Sequence, residues 1–219
     1  MRIWFRYIAY LVVSIGLSTA VAGSYEDFFT AIKQDNGKVV KDLLQRGFDP
    51  NTPDPNGLPA LVVAVREPSL SVADLLIGWP STNVEARTLQ DESPLMMAAL
   101  KGHLEIARKL IARGADVNKP GWTPLHYAST GGHVQLIELL LENHAYIDAE
   151  SPNGSTPLMM AALYGTAAAV KLLLDEGADP GIRNQLGLTA IDFARRGERK
   201  DAVELIAGAI RSARPKGRW

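Results

Sequence analysis

The 219-residue sequence contains no cysteine, and this absence excludes several kinds of chemistry. Without thiols the chain has no disulfides, no thiol nucleophile and no sulfur ligands for zinc or iron–sulfur clusters. Histidine is scarce, with four residues, and neither an HExxH pair nor a carboxylate cluster accompanies them. We therefore expect no metal site and no cofactor, and the stability of the fold must come from packing.

Motifs for nucleophilic catalysis and phosphate binding are also missing. The sequence has no G-x-S-x-G elbow and no Walker loop, and its glycines fall where helices are expected to end. We expect a protein that is not an enzyme. An enzyme with an unfamiliar site remains a minor alternative.

Long apolar runs are limited to the first residues. Arg2 and Arg6 precede "IAYLVVSIGLSTAVA", residues 8–22, and Ala20-Val21-Ala22 has the small-x-small pattern of a cleavage site. This order is typical of a secretory signal peptide over residues 1–22, and the run is short for a membrane span of about 20 residues. We expect cleavage after Ala22, export to a bacterial periplasm and no stable membrane insertion afterwards. An uncleaved anchor is the alternative. A nucleic-acid partner is not expected for an exported protein.

The remaining sequence repeats itself. "ESPLMMAALKGHLEIARKLIARGADVNK", "GWTPLHYASTGGHVQLIELLLENHAYIDA" and "GSTPLMMAALYGTAAAVKLLLDEGADPGI" align directly, and looser copies flank them. One proline position marks the copies at separations of 34, 30, 33 and 33 residues, with alanine in the two outer copies: Ala60, Pro94, Pro124, Pro157 and Ala190. Such a fixed period indicates a stack of similar structural units.

The period and the "TPLH" and "GAD" steps resemble the ankyrin repeat over roughly residues 24–210. The resemblance implies an all-α solenoid of helix-turn-helix units with projecting β-turn fingers, about six units including caps. It also implies a module that binds proteins. We assign residues 23–210 to this repeat domain, with an N-terminal cap over 24–51 and a closing cap over 187–210. Residues 211–219 form a basic tail, and a capped array is expected to be a monomer.

Each strong copy carries helix-boundary signals. Ser93, Thr123 and Thr156 are of the type that caps a helix N-terminus, and a proline follows each. Glycines then end the first helix, which we attribute to their tolerance of positive φ: Gly102, Gly132 and Gly165. The second helix has apolar residues at spacings of three and four, as on one buried face.

The histidines fit structural positions in this pattern. His126 follows the capping Thr123 by three residues, and Met96 and Met159 occupy the same position in other copies. We therefore expect His126 to bond to the cap and to have no catalytic role. His144 replaces a helix-ending glycine, where a left-handed conformation is expected.

One turn is short. Only Lys119 and Pro120 separate Asn118 from Gly121, three residues fewer than between Asp148 and Gly154. This predicts a shortened finger and a notch beneath Trp122. The alternative is a deletion without functional meaning, because turn tips tolerate such changes.

The exposed side of the first helices and the turn tips form the candidate partner-binding surface, because a rigid stack exposes them as a concave face. Trp122 and Tyr164 are the favoured contacts, since aromatic residues are enriched in binding hot spots. The full set is Glu92, Leu100, Lys101, Trp122, Thr130, Ser155, Leu163, Tyr164 and Leu188.

The predicted function is to bind one protein partner in the periplasm, as an adaptor or a stabilising subunit. The alternative is an inhibitor or immunity protein that blocks a toxin or hydrolase.

Overall fold

The computed structural model describes residues 23–67 and 69–213. The predicted signal peptide and residues 214–219 of the predicted basic tail lie outside the described residues. The final helix continues to Ala213, so the first three residues assigned to the tail are helical.

The described chain is a series of short helices joined by turns. Its regular structure is helical, apart from one isolated antiparallel bridge between Pro53 and Pro59. The helices are α1 over residues 23–33, α2 Gly37–Gln45, α3 Ala60–Arg66, α4 Leu70–Gly78, α5 Pro94–Lys101, α6 Leu104–Ala112, α7 Pro124–Gly131, α8 Val134–Glu142, α9 Pro157–Tyr164, α10 Ala167–Asp175, α11 Ala190–Arg196 and α12 Lys200–Ala213. The all-α repeat fold that the resemblance implies is confirmed.

The helices belong to two compact units. Unit 1 extends to Asn83 and contains α1 to α4. Its core includes Phe28, whose ring centroid lies 4.4 Å from that of Phe48. The hydroxyl of Ser69 donates to the carbonyl of Ile32 at 2.6 Å and joins its two helical hairpins.

Unit 2 begins at Val84 and contains α5 to α12 in two layers. The first helices of its hairpins, α5, α7, α9 and α11, pack in sequence against one another. The second helices, α6, α8, α10 and α12, form the other layer in the same order. Leu95, Leu125 and Leu158 are fully buried between the layers. Stacking stabilises α5 to α11, which have only seven to nine residues each and would not persist alone.

The predicted helix caps are confirmed. The side-chain oxygens of Ser93, Thr123 and Thr156 accept from backbone N–H groups three residues later, at 3.2, 3.4 and 3.4 Å. A second hydrogen bond runs in the opposite direction at each cap. The backbone N–H of the capping residue donates to the side chain of the residue three positions later. The acceptors are the sulfur of Met96, Nδ1 of His126, the sulfur of Met159 and, in α11, Oδ2 of Asp192.

Two of the three predicted helix-ending glycines adopt the expected conformation, with φ of 80° at Gly102 and 68° at Gly132. For Gly165 the predicted reason was wrong, because its φ is −77°. A Cβ atom there would lie 2.4 Å from the carbonyl oxygen of Ser129, so close packing of α9 on α7 requires the glycine. His144 has the predicted positive φ, 64°.

Side-chain bonds join successive hairpins of unit 2 at the ends of their first helices. Nε2 of His133 bonds to the carbonyl of Leu100 at 3.0 Å, and the hydroxyl of Thr166 donates to the carbonyl of Gly132 at 3.2 Å. Arg199 donates to the carbonyl of Gly165 in the same way. These bonds satisfy carbonyl groups that a helix C-terminus leaves unpaired.

Candidate partner-binding surface

The exposed ends of the first helices in unit 2 form a row. Leu100, Thr130 and Leu163 occupy equivalent positions of α5, α7 and α9, and all three are half-buried. Lys101 and Tyr164 follow them, and both are exposed. The structure therefore brings five of the nine predicted surface residues together on one side of three consecutive helices.

Tyr164 is the most prominent member of this row, with 61% of its surface exposed. Its equivalents in the adjacent hairpins are Gly131 and Gly197, so no side chain flanks its ring at that level. Packing requires both glycines, because a Cβ on Gly131 would collide with His133 and one on Gly197 would lie 2.7 Å from the carbonyl of Leu163. The tyrosine thus stands free on a rigid helix end.

Trp122 and Leu188 are held more closely by the protein. Trp122 is half-buried, and its ring meets that of His126 edge to face at a centroid distance of 5.2 Å. Leu188 is half-buried after a turn in which Asn184 accepts from its backbone N–H. Each has a structural role and still presents part of its side chain to solvent.

Two predicted surface residues are used within the fold. Ser155 is 1% exposed, and its carbonyl accepts from Nε2 of His126 at 2.9 Å, so its side chain does not reach a partner. Glu92 is half-buried and accepts from the hydroxyl of Tyr127 at 3.1 Å. The sequence did not reveal either role, because both depend on contacts between neighbouring hairpins.

His126 has the structural role that its position predicted. It is fully buried, with Nδ1 2.9 Å from the hydroxyl oxygen of Thr123 and Nε2 bonded to Ser155. Burial lowers the pKa of His126 to about 4, so the imidazole is neutral at neutral pH. A neutral ring with both nitrogens engaged has no free atom for proton transfer.

The shortened turn is braced by an ion pair. Lys119 donates to the carbonyl of Asp91 at 3.2 Å and pairs with its carboxylate, while its own side chain is only 9% exposed. The hydrogen bond from Lys119 to the side-chain carboxylate lowers the pKa of Asp91. The short turn is therefore tied to the preceding turn.

Two exposed leucines were missed by sequence reasoning. Leu89 and Leu186 lie at turn tips and are 86% and 76% exposed. The signal was present as an apolar residue inside a turn sequence, where polar residues are usual. Neither residue falls in the repeated positions on which the sequence prediction was based.

The second-helix layer has a different chemical character. A groove of about 240 Å³ between α8 and α10 has Leu141 and Leu172 among its lining, with the carboxylates of Glu138, Glu142 and Glu176 beside them. This acidic groove is formed by second helices, whereas the row that contains Tyr164 is formed by first helices.

Residues 23–67 and 69–213 contain neither a cluster of metal ligands nor a helix suited to cross a membrane. No three His, Asp or Glu side chains in this part of the chain are placed to share a metal ion. None of the helices described there has both the length and the apolar character needed to cross a bilayer.

Comparison with known proteins identifies the repeat. A family model described as ankyrin repeats (3 copies) matches residues 28–120, 64–151, 118–184 and 146–214. The mouse ankyrin repeat and SAM domain-containing protein 6 is 36% identical over 121 residues, 52% of this chain and 14% of that protein. A putative ankyrin repeat-containing protein of Treponema pallidum (strain Nichols) is 28% identical over 184 residues, 78% of this chain and 59% of that protein.

A third relative, the mouse 2-5A-dependent ribonuclease, is 36% identical over 90 residues, 39% of this chain and 12% of that protein. The chain thus spans a small part of the animal relatives that it matches, and their activities do not transfer with the match. Ankyrin repeats are generally non-enzymatic modules for protein–protein interaction. The family model covers nearly all of the described residues, and the chain belongs to the ankyrin repeat family.

Proposed function

We propose that the protein binds a folded protein partner through the first-helix side of unit 2, as an adaptor or a stabilising subunit. The observation that carries this proposal is Tyr164, a large aromatic side chain that is 61% exposed on a rigid helix end. Leu163 precedes it on α9, and Thr130 on α7 with Leu100 and Lys101 on α5 extend the surface to one side of it.

Rigidity supports this function. The hairpins that carry these residues are joined by caps, buried leucines and bonds between neighbours, so the surface is ordered before a partner arrives. Binding to such a surface loses little conformational entropy, which leaves more of the contact free energy for affinity.

The protein is proposed to act in a bacterial periplasm. The support is the basic start, the apolar residues 8–22 and the Ala20-Val21-Ala22 step. Cell fractionation followed by mass determination of the intact protein is the test. We expect a periplasmic product that begins at Gly23, whereas a cytoplasmic product that retains residue 1 would contradict export.

The binding proposal is tested by affinity purification from a periplasmic extract and by measuring the dissociation constant of the recovered partner. Tyr164→Ala should weaken binding about tenfold or more, because truncation of a central aromatic contact costs about 2 kcal/mol. Tyr146→Ala is the matched control, since Tyr146 is 68% exposed and follows a second helix. Equal affinities for the two variants would rule out the proposed surface.

The same purification separates the adaptor from the inhibitor. A partner with a housekeeping role supports the adaptor, and a nuclease or wall hydrolase that loses activity on binding supports the inhibitor. The acidic groove between α8 and α10 is the part of unit 2 that resembles an anionic substrate. An inhibitor acting by charge mimicry would therefore use that groove, and Tyr164→Ala would leave inhibition unchanged.

A further inference from the structure

The acidic groove between α8 and α10 carries three carboxylates that lack basic partners. Its volume is about 240 Å³, and its lining includes the half-buried side chains of Leu141 and Leu172. The carboxylates beside these leucines belong to Glu138, Glu142 and Glu176, and all three residues are exposed. In the described part of the chain, no lysine or arginine pairs with any of them. The groove thus combines apolar surface with uncompensated negative charge.

The adjacent grooves of the second-helix layer are built from equivalent helices and differ in charge. The residues equivalent to Glu138 and Glu142 are Arg108 and Ala112 in α6, and Lys171 and Asp175 in α10. Asn143 and Ala209 are equivalent to Glu176. Lys171 pairs with Asp175, and α6 supplies a positive charge, so these positions give neither adjacent groove a net negative charge. The acidic character therefore belongs to one place in the stack and not to the repeat.

The last residues of the sequence have the complementary chemistry. Residues 214–219, here named the basic segment, contain Arg214, Lys216, Arg218 and Trp219. Their three positive charges equal in number the three carboxylates of the groove, and the indole offers apolar surface to its two leucines. Opposite charges at short range attract, and an aromatic ring gains free energy when apolar groups cover it.

The basic segment is long enough to reach the groove. α12 packs beside α10, which forms one wall of the groove. Packed helices lie about 8–10 Å apart, so the groove lies about 12–15 Å to the side of α12. From Gly208, the equivalent of the last residue of α10, α12 continues to Ala213, a further rise of about 7.5 Å. An extended chain from 214 to 219 spans up to about 20 Å, which exceeds the resulting separation of about 14–17 Å.

From these observations we infer that the acidic groove binds the basic segment of the same chain, with Trp219 against the groove leucines and the basic side chains beside the three glutamates. A tethered segment has an effective concentration in the millimolar range, so weak surface ion pairs suffice to hold it. The inference is independent of the proposed function, because Tyr164 lies in the first-helix layer. A partner that requires the groove must displace the segment, which makes the segment an internal competitor.

Paramagnetic relaxation enhancement in the purified full chain tests the inference. Because the sequence has no cysteine, Gly217→Cys provides a single position for a spin label. We expect the label to broaden the amide signals around Glu142 and Glu176, and about 0.5 M salt to remove this broadening, since salt screens exposed charges. Broadening confined to the end of α12, or broadening of the groove that persists in salt, would overturn the inference.

A matched pair of triple variants tests the role of the carboxylates. The groove variant carries Glu138→Gln, Glu142→Gln and Glu176→Gln, and the control carries Glu26→Gln, Glu67→Gln and Glu150→Gln. The control residues are also exposed and lie outside the groove, so both variants change the net charge equally. We expect the groove variant to lose the broadening and the control to keep it. Equal broadening in the two variants would overturn the inference.

An exchange of charges and a mixing experiment complete the test. Lys216→Glu with Arg218→Glu should abolish the broadening, and the further changes Glu142→Lys and Glu176→Lys should restore it. Failure of this rescue would overturn the inference, provided that the other amide signals match those of the parent. Spin-labelled protein is also mixed with isotope-labelled parent. Broadening in the parent would place the segment of a second copy in the groove and overturn docking within one chain.

Discussion

The surroundings of His126 determine which proton the ring carries. Nδ1 accepts from the backbone N–H of Thr123, and Nε2 donates to the carbonyl of Ser155. A second proton on Nδ1 would face the Thr123 N–H and abolish that bond. The buried ring therefore resists protonation, and burial gives it a pKa of about 4 against an ordinary value of 6.5.

This pKa predicts acid sensitivity. Above pH 6.5 the ring is neutral in both states, but below it the unfolded chain binds a proton that the folded chain refuses. The free energy of unfolding should fall by up to about 1.4 kcal/mol per pH unit between pH 6.5 and 4, and this loss should stop below pH 4. His126→Met, which copies Met96 and Met159, should remove this part of the slope in urea unfolding. His144→Gly should leave it, and a parental slope in the His126→Met variant would contradict the assignment.

His144 itself carries backbone strain. Its φ of 64° is the left-handed conformation, and Gly114 and Gly177 adopt it at equivalent positions with φ of 84° and 98°. His144→Gly should therefore raise the free energy of unfolding by about 0.5–1 kcal/mol at neutral pH, as measured by urea unfolding. The reverse change, Gly177→His, should lower it by a similar amount. A loss of stability in His144→Gly would show that the imidazole contributes more than the strain costs.

At the scale of the elements, adjacent hairpins are joined by hydrogen bonds between a side chain of one hairpin and backbone groups of the next. Asn118 accepts from the N–H of Tyr146 at 2.8 Å and donates to the carbonyl of His144 at 2.7 Å. Asp148 accepts from Asp179 in the following hairpin, and burial raises its pKa. One side chain near each turn thus orients the loop of the next hairpin.

Asn118→Ala should lower the free energy of unfolding by about 2 kcal/mol, because two backbone groups lose their partner. Asn118→Asp keeps the acceptor for Tyr146 and loses the donor to His144. The stability of this variant should therefore lie between that of Asn118→Ala and that of the parent protein. Chemical denaturation of the three proteins is the measurement. Equal stability of the aspartate and alanine variants would mean that the acceptor contributes nothing.

Close approach of α9 and α7 gives a second prediction at this scale. Gly165→Ala would place a methyl group 2.4 Å from the carbonyl oxygen of Ser129, so one helix must move. The expected loss of stability is about 2–4 kcal/mol by thermal or urea unfolding. Gly37→Ala is the control, since nothing lies within 4 Å of its Cβ position, and it should be neutral or slightly stabilising.

Over the whole molecule, the repeat allowed the helices to be predicted from the sequence, whereas the contacts between hairpins could not be predicted. Ser93, Thr123 and Thr156 cap their helices because a hydroxyl before Pro-Leu has a local physical meaning. The burial of Ser155 and the role of Gly165 depend on the next or the preceding hairpin, which the sequence places about 30 residues away. The domain boundaries, the signal peptide and the partner remain predictions.

The same dependence on neighbours predicts how damage spreads through unit 2. Each hairpin packs only on those beside it, so the effect of Gly165→Ala should be greatest near α9 and decrease along the row. Hydrogen exchange should show faster amide exchange in α7 to α10 and a much smaller change in α5 and α6. A uniform increase across α5 to α10 would show that unit 2 opens as one cooperative body.

The reciprocal acceptor of the helix cap has an evolutionary consequence. Thioether sulfur, imidazole nitrogen and carboxylate oxygen all serve at this position, in Met96, His126 and Asp192. Descendants of this chain can therefore exchange these residues by a few codon changes and keep the same architecture. The pH below which the folded protein loses stability can therefore change in evolution, one hairpin at a time.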